Sequence, residues 1–281
     1  MVNREVNTGY CRMHDKVRVA RAALHFWEEP CLSGDTGSGA VFFSGCQLGC
    51  VYCQNKSISH DTDGIDIDVK RLADIFLELQ EKGANNINLV SPTQFVPDII
   101  KAIENARKHN MVLPVVYNSG GYENIETIKM LDGYIDIYLP DFKYMSSGLS
   151  KKYSLAADYP ERAKEAINEM YLQAGKNIFD SDIMTKGMIV RHLVLPGEIE
   201  NSKSIIKYLH DTYEENIWIS IMNQYTPMPG MKGKLSRTLT QAEYDEVIDY
   251  AVDIGVENAF IQEGETAKES FIPLFNYEGV I

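Results

Sequence analysis

The stretch AVFFSGCQLGCVYCQN, residues 40–55, joins an apolar run to three cysteines that lie within eight positions. The run at its start is rich in β-branched and aromatic residues, which is typical of a buried strand. The cysteines follow with the spacing C-x3-C-x2-C, and Gly45 and Gly49 stand among them. The sequence therefore predicts a strand that ends in a cysteine-rich loop. The three thiols belong to Cys46, Cys50 and Cys53.

Beyond this strand, short apolar runs alternate with amphipathic stretches, which is the pattern of βα units and a parallel sheet. The predicted strands are 40–44, 86–90, 113–117, 134–139, 188–195 and 217–222. The predicted helices are 68–82, 96–109, 125–131, 150–174, 201–214 and 241–254. Right-handed crossovers would wind these units into one curved sheet with helices outside. We therefore predict an α/β fold, a partial (βα)6 TIM-like barrel with a parallel sheet, rather than an open doubly wound sheet.

The two ends of the chain do not continue this pattern. Residues 1–39 fit no βα unit and are predicted to form an N-terminal extension. Residues 40–255 form the predicted barrel, and residues 256–281 are predicted to be a C-terminal tail packed on it. The length of 281 residues suits a single α/β barrel.

Composition and charge argue against several classes of partner. The net charge of -13 disfavours nucleic acid, because phosphate binding normally requires a basic face. No uncharged apolar run reaches the length of about 18 residues that a membrane helix needs. The first residues lack the apolar core of an export signal. Five cysteines, an odd number, do not suit a paired disulfide framework. We expect a soluble, cytoplasmic protein.

The cysteine spacing allows more than one interpretation. It is also i, i+4, i+7, so three small side chains could share one buried helix face. Gly45 and Gly49 argue against a helix, because each would cost roughly 1 kcal/mol there. Thiolates suit zinc or iron–sulfur clusters, but structural zinc normally takes four ligands and the chain has no second C-x2-C pair. A [4Fe–4S] cluster ordinarily takes four cysteines, so this loop would leave one iron open.

The segment CQLGCVYC resembles the C-x3-C-x-aromatic-C motif of radical SAM enzymes, with Tyr52 in the aromatic position. YCQN is similar to the YCHN of pyruvate formate-lyase activating enzymes, and the stretch from GSGAVFFSGC to NQYTP resembles their PflX-like relatives. The resemblance covers roughly residues 18–275. It implies one [4Fe–4S] cluster on Cys46, Cys50 and Cys53, whose open iron chelates S-adenosylmethionine (SAM). Reduction would cleave SAM to a 5′-deoxyadenosyl radical that abstracts a hydrogen atom from the substrate.

The same resemblance implies SAM-binding residues at the predicted strand ends. PDFK, with Asp141 and Lys143, is similar to the DLK at the SAM site of activating enzymes; a surface ion pair is the alternative. In IVRHLVLPG, Arg191 would project into the barrel towards the methionyl carboxylate or ribose, whereas His192 would point the other way and pack. The implied set is Tyr52, Ser91, Thr93, Asn118, Asp141, Lys143, Arg191 and Asn223. Ordinary loop capping is the alternative for Asn118 and Asn223.

Two further stretches bear on the site. Many radical SAM enzymes carry a Gly-Gly-Glu-like segment after the second strand to hold the SAM amino group, where this chain reads SPTQF. Ser91 and Thr93 are expected to take over that contact. The extension reads RAALHFWEEPCLSG from residue 21, and it either touches substrate or forms a packed arm with exposed carboxylates. The candidate substrate residues are His25, Trp27, Glu28 and Glu29.

The leading hypothesis is hydrogen abstraction from a polypeptide glycine, as in the activation of a glycyl radical enzyme. A flavodoxin- or ferredoxin-type protein would supply the electron. One alternative keeps the chemistry and changes the target to a peptide side chain or a small molecule. Another is an iron–sulfur electron carrier or sensor without catalysis. No catalytic side chain is assigned from the sequence.

Overall fold

The computed structural model describes residue 4 and residues 7–262 and 273–281. Parts of the predicted extension and tail, residues 1–3, 5–6 and 263–272, lie outside the described residues. Within the described ranges, no helix is long and apolar enough to cross a membrane.

The described residues form ten strands and nine α-helices. The strands are β1 (Val17–His25), β2 (Ser38–Phe43), β3 (Ile65–Ile67), β4 (Ile87–Val90), β5 (Val115–Ser119), β6 (Ile137–Pro140), β7 (Ile178–Asp180), β8 (Ile183–Leu193), β9 (Trp218–Met222) and β10 (Ala259–Ile261). The helices are α1 (Pro30–Ser33), α2 (Lys56–Ser59), α3 (Val69–Glu81), α4 (Val96–Lys108), α5 (Ile125–Lys129), α6 (Ser147–Ser154), α7 (Tyr159–Ala174), α8 (Ile199–Tyr213) and α9 (Gln241–Asp253).

The sheet confirms the predicted fold class. Strands β2, β4, β5, β6, β8 and β9 are parallel neighbours in that order, and β10 adds a further parallel strand beside β9. These six strands are the six predicted ones. Strands β2, β4, β5 and β6 are buried on both faces, as a parallel sheet covered by helices requires. The sheet does not close, so the architecture is a partial barrel.

The segment before residue 39 contributes a strand that the sequence pattern did not reveal. β1 pairs antiparallel with β2 along most of its length and with β3 at its start. Its sequence VRVARAALH is rich in alanine, which is depleted in strands and favours helices, so its local preference hides the strand. Residues 273–281 also pack on β1, where the Ala22 N–H donates to the Glu278 carbonyl at 2.8 Å.

The prediction of one helix over residues 150–174 was wrong. Two helices, α6 and α7, occupy this region, and Leu155 between them has a φ of 58° in the left-handed region. Pro160 lies in the first turn of α7, where proline is favoured because its missing N–H has no helical partner. The proline was therefore the available signal for a helix start. Thr240 and Glu243 form a capping box at the start of α9.

His192 faces away from the barrel interior and is buried beneath α8. Its Nδ1 lies 2.7 Å from the Phe142 carbonyl and its Nε2 lies 2.8 Å from the Ser202 hydroxyl. Because a carbonyl accepts, Nδ1 carries the proton and the Ser202 hydroxyl donates to Nε2. Burial lowers the pKa of His192 to about 4. The side chain is therefore a neutral, hydrogen-bonded packing residue, as strand alternation predicted.

We expect His192 to make the protein less stable as the pH falls from about 6.5 to about 4. The folded imidazole stays neutral in this window while the unfolded one binds a proton, so protons favour the unfolded state. The pKa difference corresponds to about 3 kcal/mol. Denaturant unfolding of the wild type and His192→Asn from pH 4 to pH 7.5 measures it, since the asparagine does not titrate. Parallel stability profiles for the two proteins would contradict this expectation.

Candidate functional site

A cavity of about 230 Å³ opens at the carboxyl ends of the parallel strands. In parallel α/β folds, functional residues gather at this edge because the loops that follow the strands meet there. The structure brings most of the predicted site residues into its lining. These residues are His25, Trp27, Glu28, Cys50, Tyr52, Cys53, Asn118, Asp141, Lys143 and Arg191.

Arg191 stands at the centre of a buried charge network in this cavity. Its Nε donates to Asp141 Oδ1 at 2.9 Å, and its Nη1 donates to Glu28 Oε2 at 3.1 Å. Its Nη2 donates to Asn118 Oδ1 at 2.6 Å. Lys143 Nζ donates to the other oxygen of Asp141. The side chains of Asp141, Lys143 and Arg191 are at most 19% exposed, so this is not the surface ion pair considered as an alternative.

The balance of charges explains the ionisation of these groups. Burial alone would raise the pKa of Asp141, but the Lys143 ammonium and the Arg191 guanidinium hold it below its usual range. Burial raises the pKa of Glu28, and the attraction of Arg191 does not fully offset this. Burial opposes the charge on Lys143, yet Asp141 keeps its pKa above the usual range. Two cations thus face the cavity beside one firmly ionised carboxylate.

Glu28 joins this network from the N-terminal segment. Besides its ion pair with Arg191, its Oε1 accepts hydrogen bonds from Asn88 Nδ2 at 3.0 Å and from Asn118 Nδ2 at 3.4 Å. Its side chain is 8% exposed, and Glu29 is buried as well. A packed arm with exposed carboxylates is therefore wrong for both residues.

Of the other candidate substrate residues, His25 and Trp27 line the cavity and Glu29 does not. Glu29 is buried behind the cavity wall and does not line the cavity. Burial raises the pKa of Glu29, and Arg191 acts in the opposite direction. His25 lines the cavity, and burial lowers its pKa to about 4, which leaves the ring uncharged. Trp27 lies at the cavity rim with 57% of its surface exposed.

The cysteine loop leaves the end of β2 as irregular backbone, so the helical interpretation of the cysteine spacing is wrong. Gly45 has a φ of 84°, and a Cβ there would lie 2.6 Å from the Cys11 carbonyl oxygen, so the turn requires glycine. The Ser154 hydroxyl donates to Cys50 Sγ at 3.0 Å, and Cys53 Sγ lies 3.2 Å from the Ser59 hydroxyl. These contacts orient two sulfurs at the wall of the cavity.

Tyr52 is buried among aromatic side chains. Its hydroxyl lies 2.7 Å from that of Tyr144, which lies 2.7 Å from the Ser154 hydroxyl. Its ring packs edge-on against Tyr153 and Tyr225. A continuous hydrogen-bonded chain therefore connects Tyr52 to Cys50 through Ser154.

Three of the predicted SAM residues lie outside the cavity lining. Ser91 and Thr93 line a second pocket, together with Cys46, and this pocket measures about 10 Å³. Asn223 donates from its N–H to Gln262 Oε1 at 2.8 Å and does not line the cavity. The next residue, Gln224, lines it instead.

Sequence reasoning missed several lining residues and one buried acid. The missed residues of the cavity lie on strands, in the cysteine loop or in the tail: Phe42, Gln54, Asn55, Val90, Leu193, Met222 and Pro273. Gln224 was expected with Asn223 near the adenine, because both follow the sixth predicted strand, and of the two Gln224 lines the cavity. The acid is Glu123, which follows β5 and lines the second pocket. A position four residues after a strand end, in the loop SGGYE, was its weak signal.

Fold and site together define a class of protein, and the chain belongs to the radical SAM superfamily, whose family model matches residues 40–209. The uncharacterized protein MJ0674 of Methanocaldococcus jannaschii is 28% identical over 261 residues, which cover 89% of this chain and 71% of that protein. SuiB of Streptococcus suis, in a crystal structure with its precursor peptide SuiA, matches 79% of this chain with a TM-score of 0.55 and 12% identity. This likeness shows the fold, and the chain spans about half the length of SuiB, 47%.

Membership implies an enzyme with a [4Fe–4S] cluster and SAM, and the residues present fit these groups. One loop carries three thiols, the soft ligands that iron–sulfur clusters take, and two of them line the main cavity. Lys143 and Arg191 supply buried positive charge for a carboxylate in the same cavity. Among the described residues, no group of three or more His, Cys, Asp or Glu side chains has the arrangement of a ligand set for one metal ion. The closer resemblance to activating enzymes stays a prediction.

Proposed function

We propose that this protein is a radical SAM enzyme that abstracts a hydrogen atom from a polypeptide, as the activases of glycyl radical enzymes do. The observation that carries the proposal is the shared cavity of Cys50, Cys53, Lys143 and Arg191 at the carboxyl ends of the strands. Thiols for a cluster and cations for the carboxylate of an amino acid thus face the same space. Such proximity is what electron transfer into a bound sulfonium requires.

When bound, the cluster and SAM would supply the difficult chemistry, the one-electron reductive cleavage of SAM to methionine and a 5′-deoxyadenosyl radical. The residues of this chain hold and orient the cluster and SAM. Cys46, Cys50 and Cys53 bind the cluster. Lys143 and Arg191 pair with the methionyl carboxylate, and Asp141 orients both cations through the two hydrogen bonds that it accepts.

The remaining predicted residues border the nucleoside and the substrate. Tyr52 lies against the adenine in this proposal, Asn118 binds near the ribose, and Gln224 takes the place near the base that was predicted for Asn223. His25, Trp27 and Glu28 form the substrate side, where Glu28 positions Arg191. Glu29 does not line the cavity and is left out of this role. The described parts of the extension 1–39 and of the tail 256–281, on either side of the barrel 40–255 in sequence, contribute Trp27 and Pro273 to the cavity lining. The buried residues around the cavity exclude water, which protects a reactive radical.

A polypeptide target is supported by exposed aromatic side chains beside the cavity in sequence and in space. Trp27 lines the cavity and is 57% exposed, and Phe26, its neighbour in sequence, is 52% exposed. Exposed aromatic residues are enriched where proteins bind other chains. The proposal keeps the predicted cytoplasmic location, where a flavodoxin- or ferredoxin-type protein would supply the electron. A second candidate is modification of a peptide side chain, which the fold likeness to SuiB favours because that structure holds a precursor peptide.

The chemistry is tested by anaerobic reconstitution with iron and sulfide, followed by dithionite and SAM. We expect about four irons per chain, as one [4Fe–4S] cluster requires, and release of 5′-deoxyadenosine. Recovery of intact SAM alone, from protein that carries its cluster, would contradict catalysis and favour an electron carrier or sensor.

The target is tested with a candidate glycyl radical protein from a neighbouring gene. Incubation with reduced enzyme and SAM is expected to produce a glycyl radical signal in electron paramagnetic resonance. Formation of 5′-deoxyadenosine without that signal, together with a mass change in a peptide encoded nearby, would contradict a glycyl radical target. It would favour modification of a peptide side chain instead.

A further inference from the structure

Glu123 is a buried acid beside the cysteine loop, outside the cavity already described. It follows β5, is 5% exposed and lines the second pocket with Cys46, Ser91 and Thr93. Its Oε1 accepts a hydrogen bond from the Thr93 hydroxyl at 2.7 Å. Its Oε2 is buried and has no donor at hydrogen-bonding geometry among the described residues. One oxygen of this carboxylate is therefore held in place and the other lacks a partner.

Charge is also unbalanced around Glu123. Burial raises the pKa of Glu123 to about 7, although the hydroxyls of Thr93, Ser119 and Tyr117 act to lower it. The described side chains that line the second pocket carry no positive charge. Asp141, by contrast, accepts hydrogen bonds from two cations, Lys143 and Arg191. A buried carboxylate normally has a hydrogen-bond donor on each oxygen or a cation nearby. Nearby hydroxyls act on Glu123, but Oε2 has no donor at hydrogen-bonding geometry among the described residues, so it can accept a hydrogen bond from a bound ligand.

The pocket is small and firmly built. Its volume of about 10 Å³ is that of one water-sized group. Gln94 Nε2 donates to the carbonyls of Ser44 and Ser91, both at 2.8 Å, and so ties the loop after β4 to the cysteine loop. The Tyr117 hydroxyl donates to Thr93 Oγ1 at 3.2 Å, which fixes the hydroxyl that holds Glu123. An amino group, which is as small as water and donates hydrogen bonds, matches both the size and the chemistry.

Gly120 brings this pocket next to the main cavity. It lines the second pocket, and a Cβ on it would lie 3.8 Å from Cε of Lys143, which lines the main cavity. Cys46 lines the second pocket, while Cys50 and Cys53 line the main one. The three cluster ligands therefore face both pockets. A ligand that carries an amino group and a carboxylate on one carbon atom could place the amino group in the second pocket and the carboxylate in the main cavity.

We propose that Glu123 accepts a hydrogen bond from the α-amino group of SAM in the pocket beside Cys46. This inference rests on the proposed use of SAM by this chain, and it does not depend on the polypeptide target. The contact with the SAM amino group, which was expected from Ser91 and Thr93, is thereby assigned chiefly to Glu123 in the loop after β5. Thr93 holds the Glu123 carboxylate in place. The segment SPTQF offers no acid of its own, and Glu123 supplies one from the neighbouring loop.

The test is SAM affinity of the anaerobically reconstituted, unreduced protein, measured by calorimetry. Glu123→Gln places an amide donor where the amino group needs an acceptor, so we expect SAM to bind about tenfold to a hundredfold more weakly. The analogue of SAM that lacks the α-amino group, measured by competition, is expected to bind the wild type and the variant equally. Glu126→Gln, the same change at an exposed carboxylate three residues along, is the control and keeps wild-type affinity.

Iron content and thermal unfolding check that each variant carries its cluster and folds. If Glu123→Gln fails to fold, Glu123→Asp provides the second measurement, with a smaller loss of SAM affinity expected. Wild-type affinity of the folded variant for SAM would overturn the role of Glu123 and leave the proposed function standing. An equal loss of SAM and of the analogue would do the same, because the amino group would then play no part. Failure of the reconstituted wild type to bind SAM would overturn both proposals.

Discussion

Replacement of Cys50 by alanine is expected to abolish the brown cluster chromophore and the formation of 5′-deoxyadenosine. Each thiolate holds one iron of the proposed cluster, and removal of one of three leaves two protein ligands, too few for a stable [4Fe–4S] site. The same loss is expected for alanine at Cys46 and Cys53. Absorbance, iron content and SAM cleavage after anaerobic reconstitution measure the effect.

Cys31→Ala is the matched control for this experiment. Cys31 is a buried cysteine in α1 that does not line the cavity, and it packs in a separate apolar cluster with Leu32 and Met184. This variant is expected to keep its iron, its colour and its activity. Retention of a full iron complement and of 5′-deoxyadenosine formation in Cys50→Ala would refute the assignment of the loop as the cluster site.

Replacement of Arg191 by methionine is expected to destabilise the folded protein by about 3 to 5 kcal/mol. The change removes one donor from each of Asp141, Glu28 and Asn118, and it leaves Glu28 without the cation that pairs with it. Uncompensated buried carboxylates are costly because they have lost their water and have no ion in return. Urea unfolding of the protein without cluster measures the loss of stability, and calorimetry with the reconstituted protein is expected to show weaker SAM binding.

Two further variants give this prediction its contrast. Arg162→Met removes an arginine that pairs with Asp158 at the surface, and its effect is expected to be at most about 1 kcal/mol, because exposed pairs contribute little. The double variant with Arg191→Met and Glu28→Gln is expected to recover part of the lost stability, since one of the stranded charges is gone. Equal stability of Arg191→Met and the wild type would show that the hydrogen bonds and ion pairs of Arg191 do not stabilise the folded protein.

Glu28 gives the N-terminal segment a structural role in the site. It pairs with Arg191 across 163 positions in sequence, so the segment before the barrel helps to place the cation that faces the cavity. Asn88 and Asn118, from neighbouring strands, hold its other oxygen. A residue first considered for substrate contact thus positions a SAM-binding residue in the proposed function.

The sequence was sufficient for features with a local pattern. The six parallel strands are apolar runs separated by amphipathic helices, and both periods follow from backbone geometry alone. Asp141 and Arg191 could be placed at strand ends, because parallel strands bring their carboxyl ends to one edge whatever the details of packing. The cysteine loop was recognisable because its spacing and glycines belong to one short segment.

The sequence failed where local preference and final environment disagree. The alanines of β1 favour a helix, yet pairing with β2 makes the segment a strand. The carboxylates of Glu28 and Glu29 look like solvated surface charges, yet both are buried next to an arginine from a distant strand. Glu123 had no neighbour in sequence that marked it as part of the site.

By itself, then, the sequence determined the class of fold, the loop with three thiols and the strand ends that meet at the cavity. These depend on periodicity and on spacing within a few residues. Only the tertiary structure decided that Glu28 pairs with Arg191, that Ser91 and Thr93 lie in a separate pocket, and that Glu123 and Cys46 line that same pocket. Burial, charge pairing and pocket size depend on residues far apart in the chain, and packing alone brings those residues together.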